Sequence, residues 1–144
     1  YISKVSQELK SITSEVDIEK ASSAVTLANA IKLYQHKKYD IALEQFQEIL
    51  RDPKRFSLKS TDTPRIYHNL GIIYFIRKDY QNSQVYLSKL FTEFPENGLN
   101  SSGLYHLGLS FKRLKNKEMM KQTLNLLTEK FPKSRYTKKA KKLL

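Results

Sequence analysis

Three histidines, His36, His68 and His106, are the only side chains in this sequence that ordinarily change charge near neutral pH. They are therefore the first candidates for general acid–base catalysis or for metal binding. The sequence contains no cysteine, no glycine-rich phosphate loop, no HExxH metal motif and no nucleophile elbow. A metal ion held by His68 and His106 would need further ligands, and the neighbouring side chains are apolar or cationic. We therefore expect no catalysis, no small-molecule substrate, no metal and no cofactor.

His68 and His106 occupy the same place in a segment that the chain repeats. The two copies share an opening and an ending: Tyr67-His68-Asn69-Leu70-Gly71 with Phe94-Pro95, and Tyr105-His106-Leu107-Gly108 with Phe131-Pro132. Gly71 and Gly108 are 37 residues apart, and so are the two prolines. A unit of this length cannot bury its own apolar face, so it indicates stacked supersecondary elements. Both histidines should then occupy equivalent positions in neighbouring units.

The residues inside the unit resemble the tetratricopeptide repeat (TPR), a helix–turn–helix unit of about 34 residues. Three units carry the pattern: Ala30, Leu33, Tyr39, Ala42, Phe46 and Ile49; then Leu70, Gly71, Tyr74, Tyr80, Ser83, Leu87, Leu90 and Pro95; then Leu107, Gly108, Phe111, Leu124, Leu127 and Pro132. The resemblance covers about residues 22 to 132. The third unit has Met120 where the family prefers alanine, which predicts that its two helices lie farther apart.

The sequence therefore predicts an all-α fold, a right-handed α–α superhelix (TPR solenoid) of about three repeats in one domain. Its parts are an N-terminal helical extension (1–21), repeat 1 (22–54), an inserted loop (55–63), repeat 2 (64–97), repeat 3 (101–134) and a capping helix (135–144). Helices should pair at 22–36 with 39–51, 64–77 with 80–93, and 101–114 with 117–130, with no strand. Small Gly71 and Ser83 should let the two helices of repeat 2 approach closely. The apolar side of the capping helix is expected to be Tyr136, Ala140, Leu143 and Leu144.

The N-terminal segment carries Ile2, Val5, Leu9 and Ile12 at the spacing of one helical stripe. Ser14 or Asp17 could cap a new helix that runs to about His36. We favour an extra helix whose stripe covers the exposed edge of the first repeat. The alternative is a protruding helix that binds a partner or a second copy of this chain.

The charge is concentrated at the C-terminal end of the chain. Residues 112–144 contain twelve lysines or arginines and two glutamates, a net charge of +10, out of +12 for the whole chain. The basic patch consists of Lys133, Arg135, Lys138, Lys139, Lys141 and Lys142. Such a patch could bind nucleic acid, anionic lipid or an acidic protein, or it could be the solvated surface of a capping helix. Nucleic-acid readers stack bases on exposed aromatics, whereas Phe111, Phe131 and Tyr136 are better explained as core.

In TPR proteins the first helices line a concave groove, and the resemblance implies which residues line it here. They are Leu27, Ile31 and Tyr34 in the first unit; His68, Asn69, Ile72, Phe75 and Ile76 in the second; and Tyr105, His106, Leu109, Lys112 and Arg113 in the third. This strip is apolar and aromatic in the middle and cationic at one end, which is typical of an interaction surface. The alternative is that Ile72, Phe75 and Ile76 pack against neighbouring helices or against the N-terminal segment. Of the clamp with which chaperone-tail TPR domains hold a carboxylate, only Asn69 matches, so that ligand is not expected.

A second resemblance is to bacterial envelope TPR proteins, of the outer-membrane assembly lipoprotein and Tol-Pal-associated cell-division coordinator type. It rests on Phe94-Pro95-Glu96-Asn97, Leu104-Tyr105-His106-Leu107-Gly108, and Phe131-Pro132-Lys133-Ser134 followed by Lys138-Lys139-Ala140. This resemblance implies a scaffold in the bacterial envelope or periplasm, which a segment upstream of Tyr1 could anchor to a membrane; a cytoplasmic location stays open. The function expected is protein–protein interaction through an apolar groove with a basic end. The alternative is a nucleic-acid or anionic-membrane adaptor acting through residues 112–144.

Overall fold

The computed structural model of this chain describes residues 2–144, and the side chains of residues 2–12 and 24–144. All regular secondary structure in this part of the chain is α-helical, with no strand, as predicted. The eight helices are α1 (Ile2–Ser23), α2 (Leu27–Gln35), α3 (Tyr39–Arg51), α4 (Asp62–Ile76), α5 (Tyr80–Glu93), α6 (Asn100–Arg113), α7 (Lys117–Lys130) and α8 (Arg135–Lys141). They form two compact units that divide between Leu58 and Lys59.

Unit 1, the residues up to Leu58, is built on the hairpin of α2 and α3. The residues that the repeat pattern assigned to the core are fully buried: Ala30, Leu33, Ala42, Phe46 and Ile49. Tyr39 opens α3, and its ring lies edge-on to Tyr34 at the end of α2, with 5.9 Å between the ring centroids. These contacts close the hairpin through one apolar seam.

The predicted start of the first repeat helix is wrong. Ser14 and Asp17 lie within α1, which continues to Ser23, and the following helix α2 begins only at Leu27. The backbone of Thr26 is extended, and its hydroxyl accepts a hydrogen bond from the Asn29 amide at 3.1 Å. This interaction satisfies one of the free N–H groups in the first turn, so the chain begins a new helix here instead of upstream.

The apolar stripe of α1 is exposed and is not buried on the first repeat. Ile2 is 84% exposed, Leu9 59% and Ile12 56%, and Val5 is also exposed. The prediction that this stripe covers the edge of the first repeat is therefore wrong. Helical spacing identified the stripe correctly, but spacing alone does not say which surface covers it.

Unit 2, from Lys59 onward, contains two helical hairpins and the terminal helix α8. Each hairpin turn places a lysine in the left-handed backbone region, Lys78 at φ 63° and Lys115 at φ 61°. The next residue then caps the second helix: the Asp79 carboxylate accepts from the Asn82 amide at 3.3 Å, and the Asn116 side-chain oxygen accepts from Met119 at 3.1 Å. The two turns thus repeat the same geometry, as the internal repeat predicts.

The two helices of each hairpin meet at a glycine. A Cβ placed on Gly71 would lie 2.6 Å from Leu87 Cγ, and one on Gly108 would lie 2.8 Å from Leu124 Cγ. The Ser83 hydroxyl donates to the Gly71 carbonyl at 2.8 Å across the first of these crossings. The predicted close approach at Gly71 and Ser83 is confirmed. Met120 was predicted to separate the helices of the third repeat. This prediction is wrong where α6 and α7 cross at Gly108, because the distance there from the added Cβ to the leucine Cγ is nearly equal to that at Gly71.

Helix α8 covers the end of the array. Ala140 is fully buried, and the Thr137 hydroxyl donates to the Phe131 carbonyl at 2.6 Å. Leu143 packs against the same core while Leu144 is exposed, so the predicted apolar side of this helix is wrong at its last residue. The predicted capping helix is present and ends at Lys141.

Candidate functional site

Helices α4, α6 and α8 lie side by side in unit 2, since α6 contacts both α4 and α8. Their half-buried side chains form one surface, which we call the first-helix face. It comprises His68, Phe75, Ser102, Tyr105, His106 and Tyr136. The packing of α5 and α7 against these helices fixes the position of the face, because Gly71 and Gly108 are clamped against buried leucines.

Ser102 connects the two histidines. Its hydroxyl lies 2.9 Å from His68 Nε2 and 3.3 Å from His106 Nδ1. His106 Nδ1 also lies 2.8 Å from the Ser102 carbonyl oxygen, which can only accept, so this nitrogen carries the proton and donates. These hydrogen bonds link α4 to α6 and restrict both imidazole rings, and they confirm that the histidines lie on neighbouring first helices.

Both histidines are neutral at pH 7. The pKa of His68 is lowered from 6.5 to about 4, chiefly by burial; the hydrogen bond with Asn69 raises this pKa, and the nearby His106 and Arg65 lower it. Burial also lowers the pKa of His106, with a contribution from Lys139. Among the described residues, no cluster of three or more histidines and carboxylates could hold a metal ion. The two rings therefore act as neutral hydrogen-bonding and packing groups.

An aromatic strip runs across the first-helix face. The Phe75 ring of α4 lies edge-on to His106 of α6, with 5.1 Å between centroids. His106 in turn contacts Tyr136 of α8 at 5.9 Å, and Tyr105 lies 5.4 Å from the same tyrosine. All four rings are half-buried, so each has one part fixed by neighbours and another part open to solvent.

Two cations of α8 rest on this strip. The Arg135 guanidinium lies 4.9 Å from the centroid of the Tyr136 ring, and one of its N–H groups donates to the Tyr136 hydroxyl at 3.0 Å. The Lys139 ammonium lies 5.7 Å from the Tyr136 ring centroid and 6.0 Å from that of Tyr105. Burial raises the pKa of Tyr136, but hydrogen bonds from Arg135 and Ser102 and the two positive charges outweigh it, and the net pKa is lowered.

Comparison with known families supports the assignment of two helical repeats in unit 2. Two family models described as tetratricopeptide repeat match residues 64–97 and residues 102–134. Both hairpins of unit 2 are therefore similar to tetratricopeptide repeats. A search of curated proteins found no match. TPR units mediate protein–protein interaction, and their all-helical scaffold is typically not catalytic.

Burial divides the residues of the groove predicted from the TPR resemblance into accessible and buried ones, and the binding role of the accessible ones stays a prediction. Ile76 is 48% exposed, while Phe75, Tyr105, His106 and Leu109 are half-buried. Ile72 is only 9% exposed and Asn69 is likewise buried, so neither supplies contact area. Both residues are packed inside the protein, although the predicted groove had placed them on its surface.

The cationic end of the predicted groove is at the C-terminal end of α6. Lys112 lines a shallow depression with Lys115, Lys117 and Met120 at the connection between α6 and α7. Arg113 is the exposed last residue of α6. Arg135 and Lys139 contact the aromatic strip, and the sequence had assigned both to the basic patch.

Two further groups of predicted binding residues are the α2 residues of the groove and the basic patch. Leu27, Ile31 and Tyr34 are half-buried on α2 in unit 1, and their binding role stays a prediction. The basic patch is exposed throughout; its members are Lys133, Arg135, Lys138, Lys139, Lys141 and Lys142.

Sequence reasoning missed the roles of Ser102 and Tyr136. Tyr136 was assigned to the core with Phe111 and Phe131; Phe111 is buried and the other two pack half-buried against the same core, but Tyr136 also joins the aromatic strip. A signal for it was present, because Arg135, Tyr136 and Lys139 are spaced so that they meet on one side of a helix. This helix occupies the place of a first helix in a further TPR unit.

Proposed function

We propose that this TPR protein is a non-enzymatic scaffold that binds another protein through the first-helix face of unit 2. A helix or an extended segment of the partner would lie across the aromatic strip. The observation that carries the proposal is the run of half-exposed rings, Phe75, His106, Tyr105 and Tyr136, with exposed Ile76 at one end.

The strip is suited to binding because its side chains are already ordered. Aromatic rings supply a large contact area and have few torsions to restrict, so they dominate many protein interfaces. Here hydrogen bonds through Ser102 and ring contacts hold His106 in place before any partner arrives. Since little conformational entropy remains to be lost, contact area on this face converts efficiently into affinity.

The basic residues at the end of α6 would assist this function. Lys112 and Arg113 are exposed at the C-terminal end of α6, where their charges add to the attraction for an acidic partner. Such rim charges affect the association rate and its salt dependence more than the lifetime of the complex.

Site-specific photo-crosslinking tests the proposal. A photoreactive phenylalanine analogue replaces Tyr105, and in a matched control it replaces Val85, which is 47% exposed on α5 outside the first-helix face. In extracts of the native source we expect a discrete crosslinked protein with the probe at position 105 and none with the probe at position 85. The same product at both positions, or a product only at position 85, would contradict the proposal.

A second candidate function rests on the basic patch of residues 133–142. Its exposed lysines and arginines would allow binding to nucleic acid or to an anionic membrane. No helix among the described residues has the length and apolarity needed to cross a membrane. Salt dependence separates the candidates, because neutralising several phosphates makes affinity fall steeply with salt, whereas docking on aromatic side chains changes little.

We further propose that the protein works in a bacterial envelope or periplasm. The support is the resemblance carried by the Phe-Pro turns at Phe94-Pro95 and Phe131-Pro132 and by the lysine-rich end of the array. Fractionation of the native source with an antibody to this chain tests the proposal. Recovery in the envelope or periplasmic fraction is expected, and recovery in the cytoplasm alone would refute it.

Helix α1 is proposed as a contact for a second copy of this chain. Its exposed residues Ile2, Val5, Leu9 and Ile12 are spaced three, four and three apart, which is the spacing of a coiled-coil seam. A narrow seam of this kind is suited to a similar helix. Sedimentation analysis should then show a dimer that is lost when Leu9 and Ile12 are replaced by lysine. A monomer at high protein concentration would contradict this proposal.

A further inference from the structure

We propose that the partner of the first-helix face is an acidic protein segment, whose carboxylates bind Arg135 and Lys139 beside Tyr136. This inference rests on the proposed function and adds the chemistry and the direction of the bound segment. Its apolar side chains would lie toward Phe75 and Ile76, and its acidic end would lie at α8.

The first argument is the distribution of charge among the helices of unit 2. Helices α6 and α8 contain no aspartate or glutamate, and the single carboxylate of α4, Asp62, accepts a hydrogen bond from the Lys59 amide at 2.9 Å. The three helices carry the following cations: Arg65, Lys112, Arg113, Arg135, Lys138, Lys139 and Lys141. The other carboxylates of unit 2 are on α5, α7 and the connections: Asp79, Glu93, Glu96, Glu118 and Glu129. The first-helix face therefore attracts anions.

The second argument is that the α8 cations have unused binding capacity. Elsewhere in unit 2, Lys130 is engaged with Glu96, with 3.1 Å between Nζ and Oε1. Within the part of the chain that the structure describes, neither Arg135 nor Lys139 has a carboxylate within ion-pair distance. Arg135 uses one N–H on the Tyr136 hydroxyl and retains others that could bind a carboxylate in its preferred paired geometry.

The third argument is that the rings hold these two cations in position. Lys139 lies within 6.0 Å of two ring centroids and Arg135 within 4.9 Å of one. A cation held on a ring keeps less freedom than one extending into water, so it loses less entropy on binding an anion. The described contacts of Lys138 and Lys141 include no ring, although both lie on the same short helix.

The same contacts favour a protein segment over nucleic acid as the occupant. Single-stranded nucleic acid binds by stacking bases on open aromatic faces between basic residues. On this surface Arg135 and Lys139 occupy positions over Tyr136 and Tyr105, and the two rings also lie against each other. The rings therefore offer edges and partial faces, which suit aliphatic or aromatic side chains next to a carboxylate.

A peptide-display selection against the full chain tests the inference. The probe is a library of random twelve-residue peptides, and the selected peptides are then synthesised and their affinities measured. We expect enrichment of peptides that combine several aspartates or glutamates with an apolar residue. The variant Arg135→Ala/Lys139→Ala should bind them at least about tenfold more weakly, because charge-assisted hydrogen bonds are lost.

The matched control is Lys138→Ala/Lys141→Ala, which removes the same charge from the same helix. Its affinity should fall by less than about threefold, since only long-range attraction is reduced. Equal losses in the two double variants would refute a specific site at Arg135 and Lys139. Enrichment of neutral or basic peptides, or complete competition by single-stranded RNA at low peptide occupancy, would also overturn the inference.

A third variant separates this inference from the proposed function. Tyr105→Ala should weaken every selected peptide if the first-helix face is the binding surface. Neutral peptides that still depend on Tyr105 would refute the acidic partner and leave the proposed function standing. Peptides whose affinity is unchanged by Tyr105→Ala would refute the proposed function itself. Circular dichroism of each variant confirms that it remains folded.

Discussion

Replacing Gly71 with alanine tests the packing that positions the first-helix face. The new Cβ would lie 2.6 Å from Leu87 Cγ, well inside the normal contact distance. Leu87 is only 1% exposed, and the contact involves its branch point as well as its methyl end, so the side chain cannot simply rotate away. Either α5 moves away from α4 or Leu87 adopts a strained conformation.

The expected size of this effect follows from two opposing terms. Overpacking of a buried site costs about 1–3 kcal/mol, whereas replacing a helical glycine with alanine gains up to about 1 kcal/mol. We expect the overpacking to dominate and Gly71→Ala to lower the free energy of unfolding by about 1–2 kcal/mol. Gly108→Ala should behave similarly, because its Cβ would lie 2.5 Å from Leu124 Cδ2.

Two other glycines serve as internal controls. A Cβ on Gly103 would lie 3.0 Å from Leu90 Cδ2, the end of a side chain, and one on Gly98 would meet nothing within 4 Å. Gly103→Ala should be close to neutral because its helix propensity gain offsets a small shift, and Gly98→Ala should change stability by less than about 0.5 kcal/mol. The assay is urea denaturation followed by far-UV circular dichroism. If Gly71→Ala is as stable as Gly103→Ala, the close approach of α4 and α5 is wrong.

Two further predictions concern pH and the N-terminal helix. Between pH 6.5 and pH 4 the unfolded chain binds a proton at His68 that the folded chain excludes; stability should therefore fall as the pH is lowered, by up to about 3 kcal/mol. Urea titrations across this range should show a flatter dependence for His68→Gln, and an equally steep one would refute the assignment. At a protein concentration where sedimentation shows a monomer, deleting residues 1–12 should leave the melting temperature of the chain within about 2 °C in calorimetry, because the stripe of α1 is exposed. A drop of more than about 5 °C would show that the stripe is buried in the folded protein.

Much of the fold of unit 2 could be predicted from the sequence because its signals are local and repeated. The glycines at a 37-residue period, the apolar spacing and the Phe-Pro turns predicted the helix boundaries of α4 to α7 within two residues. The boundary between α1 and α2 was less predictable. Ser14, Asp17 and Thr26 are all good capping residues, and only the folded backbone distinguishes which of them begins a helix.

The candidate site was predictable only in part, because it depends on contacts between helices. Repeat phase assigned His68, Tyr105 and His106 correctly to one face, but it could not separate buried Ile72 from exposed Ile76. Ile72 and Ile76 are four residues apart on the same side of α4, and Ile76 is the last residue of that helix, so their burial depends on position along the helix, which the repeat phase does not report. The contact of Tyr136 with Tyr105 depends on how the terminal helix α8 packs, which a repeat pattern that ends at Pro132 does not specify.

The most direct test of the central claim is side-chain footprinting of the chain with and without the protein recovered by crosslinking. A diffusing carbene reagent labels exposed side chains, and mass spectrometry locates the labels. On complex formation we predict reduced labelling of Ile76, Tyr105 and Tyr136, with no change at Val85 on α5 or Met119 on α7, which are also exposed in the free protein. Protection of Val85 and Met119 with unchanged labelling of Ile76, Tyr105 and Tyr136 would contradict binding at the first-helix face.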